Sequence, residues 1–334
     1  MKKLMLALLL CTQLLVNAQT IDRIEPQNWW IGMKYHTITL LVYGKNIALL
    51  QPKLQYQGVQ LVKTEKVTNS NYLFVTLNIT PQAKAGTVNI QFQQNGKTVI
   101  SHPFPLLTRE ANSANRASYS SKDAICLIVP DRFANGDATN DVVAGMLENK
   151  VDRKGEGTRH GGDIKGISNN LQYLQKMGFT QVWCTPLVEN NEPAYSYHGY
   201  AATDFYKIDP RFGTNEQFKE MVKQAKQLGI GFIWDVVVNH CGTEYYFIKD
   251  LPSKEWVNYP ETHTGCNFIK ATLTDIYASA IDKKEYTDGW FDAHMADLNQ
   301  RNPLVAKYLI QNTIWWIEYA GLSGLREDTY SYAN

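Results

Sequence analysis

Two charged residues near the end of the sequence, Arg326 and Asp328, lie two positions apart in the segment GLREDTYSYAN. Side chains alternate along a β-strand, so in a strand both would point to the same face. A guanidinium beside a carboxylate favours the ionised carboxylate. An ionised carboxylate at the end of a strand is suited to act as a nucleophile. The alternative is an ordinary buried ion pair, and these two residues alone do not decide between the two interpretations.

Further polar residues follow two earlier apolar segments. The segment DVVVNH begins at Asp235 and ends at His240, and the segment YHGY contains His198 and Tyr200. A neutral imidazole can donate a hydrogen bond to a hydroxyl group, and an aromatic ring can stack on the apolar face of a sugar. A single histidine is more often structural. Together with the Arg/Asp pair at successive strand ends, however, these residues favour a sugar-binding active site.

The second part of the chain, residues 123–334, must position these groups, because apolar strand-like runs alternate there with helical patterns. Strands are predicted at 123–130, 181–187, 230–238 and 323–330, and helices at 164–179, after the Thr214/Gln217 capping box and after Asn302-Pro303. This alternation predicts a parallel sheet, in either an open doubly wound fold or a (β/α)8 TIM barrel. A glycine-rich phosphate loop would favour the open fold, and none is present. The long insertion at 240–298 is expected to be functional.

The first part of the chain, residues 19–108, contains β-branched and aromatic runs without a helical period, which predicts an immunoglobulin-like β-sandwich. Within it, Asn95-Gly96 is typical of a tight hairpin turn, since both central positions of such a turn require positive φ. The small polar residues of 109–122 are interpreted as a linker.

Residues 1–18 combine two lysines, an apolar run and a small-residue site ending at Ala18, which predicts a signal peptide and export to the periplasm or the outside of the cell. With 33 basic and 32 acidic residues, the chain has no basic stripe that would indicate nucleic-acid binding. Cys126 and Cys184 are predicted to be buried free thiols. Cys241 and Cys266 could form a disulfide, and the sequence leaves that question open.

Several segments in the same order resemble signature regions of the α-amylase family, glycoside hydrolase family 13. These segments are GFTQVWCTPL, DVVVNH, MADLNQRNP and GLREDTYSY. The segments WWIGM and PDRFANGD narrow the resemblance to the cyclomaltodextrinase and neopullulanase branch. It extends over essentially the whole chain after residue 18. The resemblance implies a retaining hydrolase of α-1,4 glucosidic bonds that acts on cyclodextrins, pullulan or maltooligosaccharides, and it allows a homodimer formed through the N-terminal domain.

The resemblance also implies roles for the residues named above. Asp328 matches the nucleophile, and Arg326 matches the arginine that orients it. His198 and His240 match histidines that hold sugar hydroxyls, and Tyr200 matches a tyrosine that stacks beneath the sugar ring. Asp235 matches an aspartate that supports the arginine.

A structural calcium site is implied by the same resemblance in the loops NGDATND and GGD. The matching positions are Asn135, Asp137, Asn140, Asp141, the carbonyl of Gly161 and Asp163. Calcium prefers six to eight oxygen ligands of this kind. The alternative is a solvated turn rich in Asn and Asp.

Two features depart from the family pattern. Glu327 replaces an apolar residue, so it is expected either to have a basic partner or to lie on a strand that is less buried there. The general acid Glu of the family follows the fifth strand, whereas this sequence ends just after the fourth. The chain is therefore interpreted as an inactive fragment with the first half of the barrel. The alternative is a secreted glucan-binding protein without catalysis.

Overall fold

The computed structural model describes residues 19–333. Its strands are β1 Arg23–Glu25, β2 Trp29–Trp30, β3 Thr37–Tyr43, β4 Gln51–Lys53, β5 Val59–Lys66, β6 Tyr72–Ile79, β7 Gly86–Gln94, β8 Lys97–Leu107, β9 Ile125–Ile128, β10 Gln181–Cys184, β11 Val188–Glu189, β12 Asp204–Ile208, β13 Gly231–Val236, β14 His240–Gly242, β15 Met295–Asp297 and β16 Gly324–Glu327. Its α-helices are α1 Pro130–Phe133, α2 Ile164–Asn169, α3 Leu171–Lys176, α4 Asn215–Gln227, α5 Tyr246–Lys249, α6 Ala280–Asp288 and α7 Pro303–Ala320. None of these helices combines the length and apolar character that a membrane span requires.

The N-terminal region is a β-sandwich, as predicted. Its two four-stranded sheets have the orders β1-β3-β6-β5 and β2-β8-β7-β4. Val88, Ile90 and Phe92 are buried at alternate positions of β7, as expected when one face of a strand packs on a core. Asn95 and Gly96 join β7 to β8 with φ of 49° and 78°, which confirms the predicted hairpin turn.

The second region contains a four-stranded parallel sheet in the order β16-β13-β10-β9. The capping box between Thr214 and Gln217 begins α4, as predicted, and Asn302 caps α7 ahead of a proline. Trp316 of α7 stacks on Trp234 of β13 with ring centroids 4.6 Å apart. The helices therefore cover the face of the sheet to which Trp234 points. Asp235 is the next residue of β13, so its side chain points to the other face.

Some sequence-based expectations differ from the structure. The helix predicted over 164–179 is two short helices, α2 and α3, that meet at Asn170. The predicted burial of Cys126 is wrong, because β9 is the edge strand of its sheet and leaves this thiol only half-buried. Glu327 is exposed and lies at the rim of a cavity beside β16, so the less buried alternative is the one observed. Cys241 and Cys266 are both free thiols.

The insertion after β13 folds back onto both regions. Its antiparallel pair, β14 and β15, places His240 opposite Asp297. Trp256 of the insertion packs against Phe74 of the sandwich, with ring centroids 5.8 Å apart. Asp250 accepts hydrogen bonds from sandwich residue Asn71 at 2.8 Å. The insertion thus ties the sandwich to the carboxyl ends of the parallel strands.

Candidate active site

Arg326 joins two carboxylates at the carboxyl end of the parallel sheet. Its Nη1 atom donates to Asp235 Oδ1 at 3.0 Å and to Asp328 Oδ1 at 2.6 Å. The register of β13 and β16 pairs Asp235 with Arg326, so the two side chains begin at the same level of the sheet. The guanidinium also lies over the ring of Trp183, 4.9 Å from its centroid. Strand pairing and an aromatic contact therefore fix the arginine.

Asp235 is fully engaged by its neighbours. Its side chain is buried, and its Oδ2 atom accepts hydrogen bonds from Trp183 Nε1 at 2.8 Å and Tyr200 Oη at 3.2 Å. Burial raises the pKa of Asp235, while the bonds from Trp183 and Arg326 oppose that rise. With both oxygens bonded to the protein, Asp235 is suited to hold Arg326 and Tyr200 in place and is not available for bond formation.

Asp328 differs because one of its oxygens is available. The backbone nitrogen of Asp328 donates to the carbonyl of Val236 at 2.8 Å, which fixes the start of the turn after β16. Oδ1 bonds to Arg326, whereas among residues 19–333 no hydrogen bond reaches Oδ2. The side chain is 16% exposed. Asp328 is thus a carboxylate held at one oxygen and presented to solvent at the other.

Two histidines present N–H groups beside this carboxylate. The backbone nitrogen of Tyr200 donates to His198 Nδ1 at 2.9 Å, and Asn239 Nδ2 lies 3.3 Å from His240 Nδ1. If each Nδ1 accepts, each Nε2 carries the proton and can donate. His240 Nε2 is buried and lacks a hydrogen-bond partner within the described part of the chain. Burial lowers the pKa of His240 to about 4 and also lowers that of His198, so both rings are neutral donors.

The predicted sugar-site residues therefore form one cluster. The rings of His198 and Tyr200 are 5.7 Å apart, and the charge of Asp328 acts on both Tyr200 and His240. Phe291 of the insertion stacks on His240 with centroids 5.5 Å apart and closes one side. A carboxylate, two N–H donors and aromatic surfaces can together hold the hydroxyl groups and the apolar face of a sugar at the reacting oxygen.

Sequence reasoning missed Trp183, Asn239 and Phe291. Trp183 stands between the buried Val182 and Cys184 in β10, so strand alternation could have placed its ring on the opposite face. Asn239 contacts the ring of His240 and so helps to orient it. Its position directly before that histidine in the sequence only weakly indicates this contact. Phe291 reaches the site from the insertion, and no local pattern of the sequence indicates that.

The residues predicted to bind calcium fall into two groups. Asn135 Nδ2 lies 2.6 Å from Asp141 Oδ1, and a Cβ atom on Gly161 would be 2.5 Å from that oxygen. Asn140 Oδ1 is buried without a hydrogen-bond partner in the described residues. Asp137 instead accepts from the backbone of Thr139.

Asp163, the remaining predicted calcium ligand, accepts hydrogen bonds from the backbone nitrogens of Gly136, Asp137 and Gly166. Within residues 19–333, no three Asp, Glu, His or Cys side chains converge as metal ligands. The set fits calcium through the oxygens of Asn135, Asn140 and Asp141 and the Gly161 carbonyl, and the buried Asn140 Oδ1 has no hydrogen-bond partner in the described residues.

A β-sandwich followed by parallel strands, with a carboxylate and sugar-type donors at their carboxyl ends, defines the class of two-domain barrel glycosidases. A family model described as alpha amylase, catalytic domain, matches residues 127–334, and one described as cyclomaltodextrinase, N-terminal, matches residues 23–110. The chain belongs to the α-amylase family of glycoside hydrolases, and the predicted family is confirmed.

Relatives with known names agree with this assignment. The cyclomaltodextrinase of Thermoanaerobacter pseudethanolicus is 31% identical over 63% of this chain and 34% of its own length, and neopullulanase 2 of Thermoactinomyces vulgaris is 32% identical with the same coverage. The structure of an Anoxybacillus α-amylase is 34% identical, covers 64% of this chain and 42% of that chain, and has a TM-score of 0.54. The chain thus spans about a third of the length of these two curated relatives.

Proposed function

We propose that this chain carries the nucleophile half of a retaining α-glucan hydrolase active site. The observation that supports this most strongly is the Arg326–Asp328 pair, which holds one carboxylate oxygen and leaves the other without a hydrogen bond from the described residues, while the charge of Asp328 acts on the nearby His240. In a retaining mechanism the nucleophile and the second carboxyl group lie about 5 Å apart on the two sides of the cleaved bond. Asp235 has both oxygens engaged, so it is not that second group.

The reaction would proceed by double displacement. Asp328 Oδ2 attacks the anomeric carbon as the bond to the leaving oxygen breaks, and the leaving oxygen takes a proton from the general acid. Water then attacks the anomeric carbon and gives a proton to the conjugate base of the general acid, while the bond to Asp328 breaks and its carboxylate is restored. Within this scheme, Arg326 keeps Asp328 ionised and oriented, the two neutral imidazoles hold hydroxyls of the sugar, and Tyr200 supports its ring.

The bonds that we propose are cleaved are the α-1,4 links of cyclodextrins, pullulan or maltooligosaccharides. The names of the relatives, cyclomaltodextrinase and neopullulanase, support this class. Transfer to a sugar hydroxyl is open as well, since the covalent intermediate can react with an alcohol in place of water. We expect the 334-residue chain itself to show no turnover. Release of shorter sugars from maltoheptaose by this chain would contradict that expectation.

Calorimetry with maltoheptaose tests the proposed site without requiring turnover. We expect the wild-type chain to bind the sugar and the Tyr200→Ala variant to bind it at least about tenfold more weakly, since the variant loses a stacking ring and a hydrogen bond to Asp235. Tyr35→Ala, which removes an exposed tyrosine of the sandwich, serves as control. Equal binding by the wild type and Tyr200→Ala would contradict the site. Binding together with no reaction towards activated glycosides would favour the glucan-binding alternative.

Calcium, export and pairing of subunits are further proposals. The oxygens of Asn135, Asn140, Asp141 and the Gly161 carbonyl would hold a calcium ion, and the ion would add rigidity to the loops without a catalytic role. A rise in melting temperature on calcium addition that Asn140→Ala abolishes would support this site.

The predicted signal peptide lies outside the described residues, and it would direct the protein to the periplasm or beyond. Pairing through the sandwich is proposed from the resemblance alone.

A further inference from the structure

An exposed tyrosine, Tyr195, lies on the loop that leads into the candidate site. Its side chain is 62% exposed, and its backbone has a φ of 56°, which is uncommon for an aromatic residue. The ring lies against Gly157, where an added Cβ atom would be 2.4 Å from Tyr195 Cε1. The absence of a side chain at Gly157 therefore makes room for the ring to lie there with its other surface in solvent.

Polar groups surround this ring in an open cavity of about 550 Å³. Its lining includes Glu148, Asn149, Lys150 and Thr158. These side chains offer carboxylate, amide, ammonium and hydroxyl groups that can bond to sugar hydroxyls. An aromatic surface with a polar rim is the arrangement that binds the apolar face and the hydroxyls of a sugar at once.

The walls of the cavity are held in place by other contacts. Ser196 donates its backbone N–H to Glu148 Oε2 at 2.8 Å, and Arg211 Nη1 donates to the Glu148 carbonyl at 2.9 Å. On the other wall, Arg132 Nη1 donates to the carbonyl of Thr158 at 2.7 Å. A groove built in advance costs less free energy to order when a ligand binds.

The cavity is also close to the candidate active site. His198 is three positions after Tyr195, so their Cα atoms are at most ~11 Å apart. Residues 196–198 form a short 3-10 turn that shortens this distance further. The charge of Glu148 acts on His198, which places this wall beside that histidine. A glucan held at His198 can therefore extend towards Tyr195.

We propose that Tyr195, with Gly157 beneath its ring and Glu148, Asn149 and Lys150 around it, is an additional binding position for long α-glucan chains. The inference rests on the proposed function and goes beyond it, because it assigns chain-length preference to a surface outside the reacting centre. Sugars that occupy only the Asp328 site gain nothing from this position, whereas longer chains gain a stacking contact.

The test compares the binding of maltotriose and maltoheptaose to the full chain by calorimetry. Asn tolerates positive φ, so Tyr195→Asn removes the ring while leaving the turn in place. We expect this variant to bind maltoheptaose about three- to tenfold more weakly than the wild type, with unchanged maltotriose binding. Gly157→Ala should weaken maltoheptaose binding in the same direction, since the ring must move away from the new Cβ atom.

Tyr173→Asn is the matched control, because Tyr173 is 56% exposed on α3 and lines neither this cavity nor the candidate site. It should bind both sugars as the wild type does. Unchanged maltoheptaose binding by Tyr195→Asn would overturn the inference and leave the proposed function intact. Equal losses for both sugars would also overturn it, since chain length would then be irrelevant. Absence of glucan binding by the wild type would instead contradict the proposed function.

Discussion

Two regions of this molecule use one arginine to bridge two carboxylates, and their surroundings differ. At the sandwich boundary, Arg23 Nη1 donates to Glu25 at 3.2 Å and to Asp204 at 2.6 Å. At the sheet end, Arg326 Nη1 bridges Asp235 and Asp328 at similar distances. The residue types and hydrogen bonds match, so the difference in role must come from what else the carboxylates contact.

In the boundary cluster, all four carboxylate oxygens of Glu25 and Asp204 accept hydrogen bonds from the protein. Glu25 is buried, and its Oε2 atom accepts hydrogen bonds from Tyr308 Oη at 2.6 Å and Tyr246 Oη at 2.9 Å. Asp204 is buried as well and also accepts from the backbone of Tyr206. These partners come from β12, α5 and α7, so the cluster joins the sandwich to the barrel.

The sheet-end cluster is open at one carboxylate. Both oxygens of Asp235 are bonded to the protein, whereas Asp328 keeps one oxygen without a hydrogen bond from the described residues. The comparison teaches that an Arg/Asp pair in a sequence is not evidence of catalysis by itself. An unengaged oxygen in a cluster with sugar-type donors is the feature that separates the candidate active site from the structural cluster.

Removing Arg326 should have the largest effect on stability. Arg326→Met leaves the buried Asp235 without its cation, and we expect the free energy of unfolding to fall by about 3 kcal/mol. Chemical denaturation measures this change. Lys254→Met is the control, because Lys254 and Glu261 form an exposed pair whose loss should leave the stability nearly unchanged. A loss for Arg326→Met no larger than that of the control would contradict the described role of Asp235.

Removing Arg23 should cost less at mildly acidic pH. Burial, aided by the charge of Asp204, raises the pKa of Glu25 to about 7. At about pH 6 most Glu25 side chains therefore already carry a proton, so only Asp204 is left as a charged carboxylate without its cation, and we expect Arg23→Met to lower the free energy of unfolding by about 2 kcal/mol there. Denaturation at a higher pH should show a larger loss. A loss that is the same at both pH values would contradict proton uptake by Glu25.

The boundary cluster should also make the stability of the wild type depend on pH. The raised pKa means that the folded chain binds the Glu25 proton more tightly than the unfolded chain, whose Glu has its ordinary value of 4.5. This contribution is complete below the ordinary pKa and is lost as the pH rises through about 7. Melting temperatures should therefore fall less over this range in Glu25→Gln than in the wild type. Glu261→Gln, at an exposed site, is the control, and parallel curves for all three proteins would contradict the assignment.

The sheet-end cluster should show the smallest pH effect. Burial lowers the pKa of both His198 and His240, that of His240 to about 4, so His240 stays neutral from weakly acidic to weakly basic solution and the lowered pKa of His198 favours its neutral form as well. We expect the dissociation constant of maltoheptaose to change by less than about twofold between about pH 6 and pH 8. Calorimetry at several pH values measures this. A tenfold change centred near the ordinary histidine pKa would contradict the neutral-donor description.

Much of the fold follows from local signals in the sequence. The Asn95-Gly96 turn, the Thr214/Gln217 box and Asn302-Pro303 each determine backbone geometry within a few residues, and the structure contains all three as predicted. The gathering of Arg326, Asp328 and His240 also followed, since parallel strands share one carboxyl edge.

The features that were not predicted depend on contacts between distant segments. The full engagement of the Asp235 carboxylate depends on a hydrogen bond from Trp183 on another strand. The aromatic ring beside His240 belongs to Phe291 on the insertion. The burial of Glu25 depends on Tyr246 and Tyr308, more than 200 positions away in the sequence. A periodic pattern describes one element and the face it buries, so it does not contain these long-range contacts.

The most direct test of the central claim is covalent labelling of the chain with a 5-fluoro-α-glucosyl fluoride. Fluoride leaves without protonation, so attack by the nucleophile does not require the general acid. We expect a sugar adduct on the peptide that contains Asp328, and no adduct in Asp328→Asn. Labelling at another carboxylate, or equal labelling of wild type and variant, would contradict the assignment of Asp328 as the nucleophile.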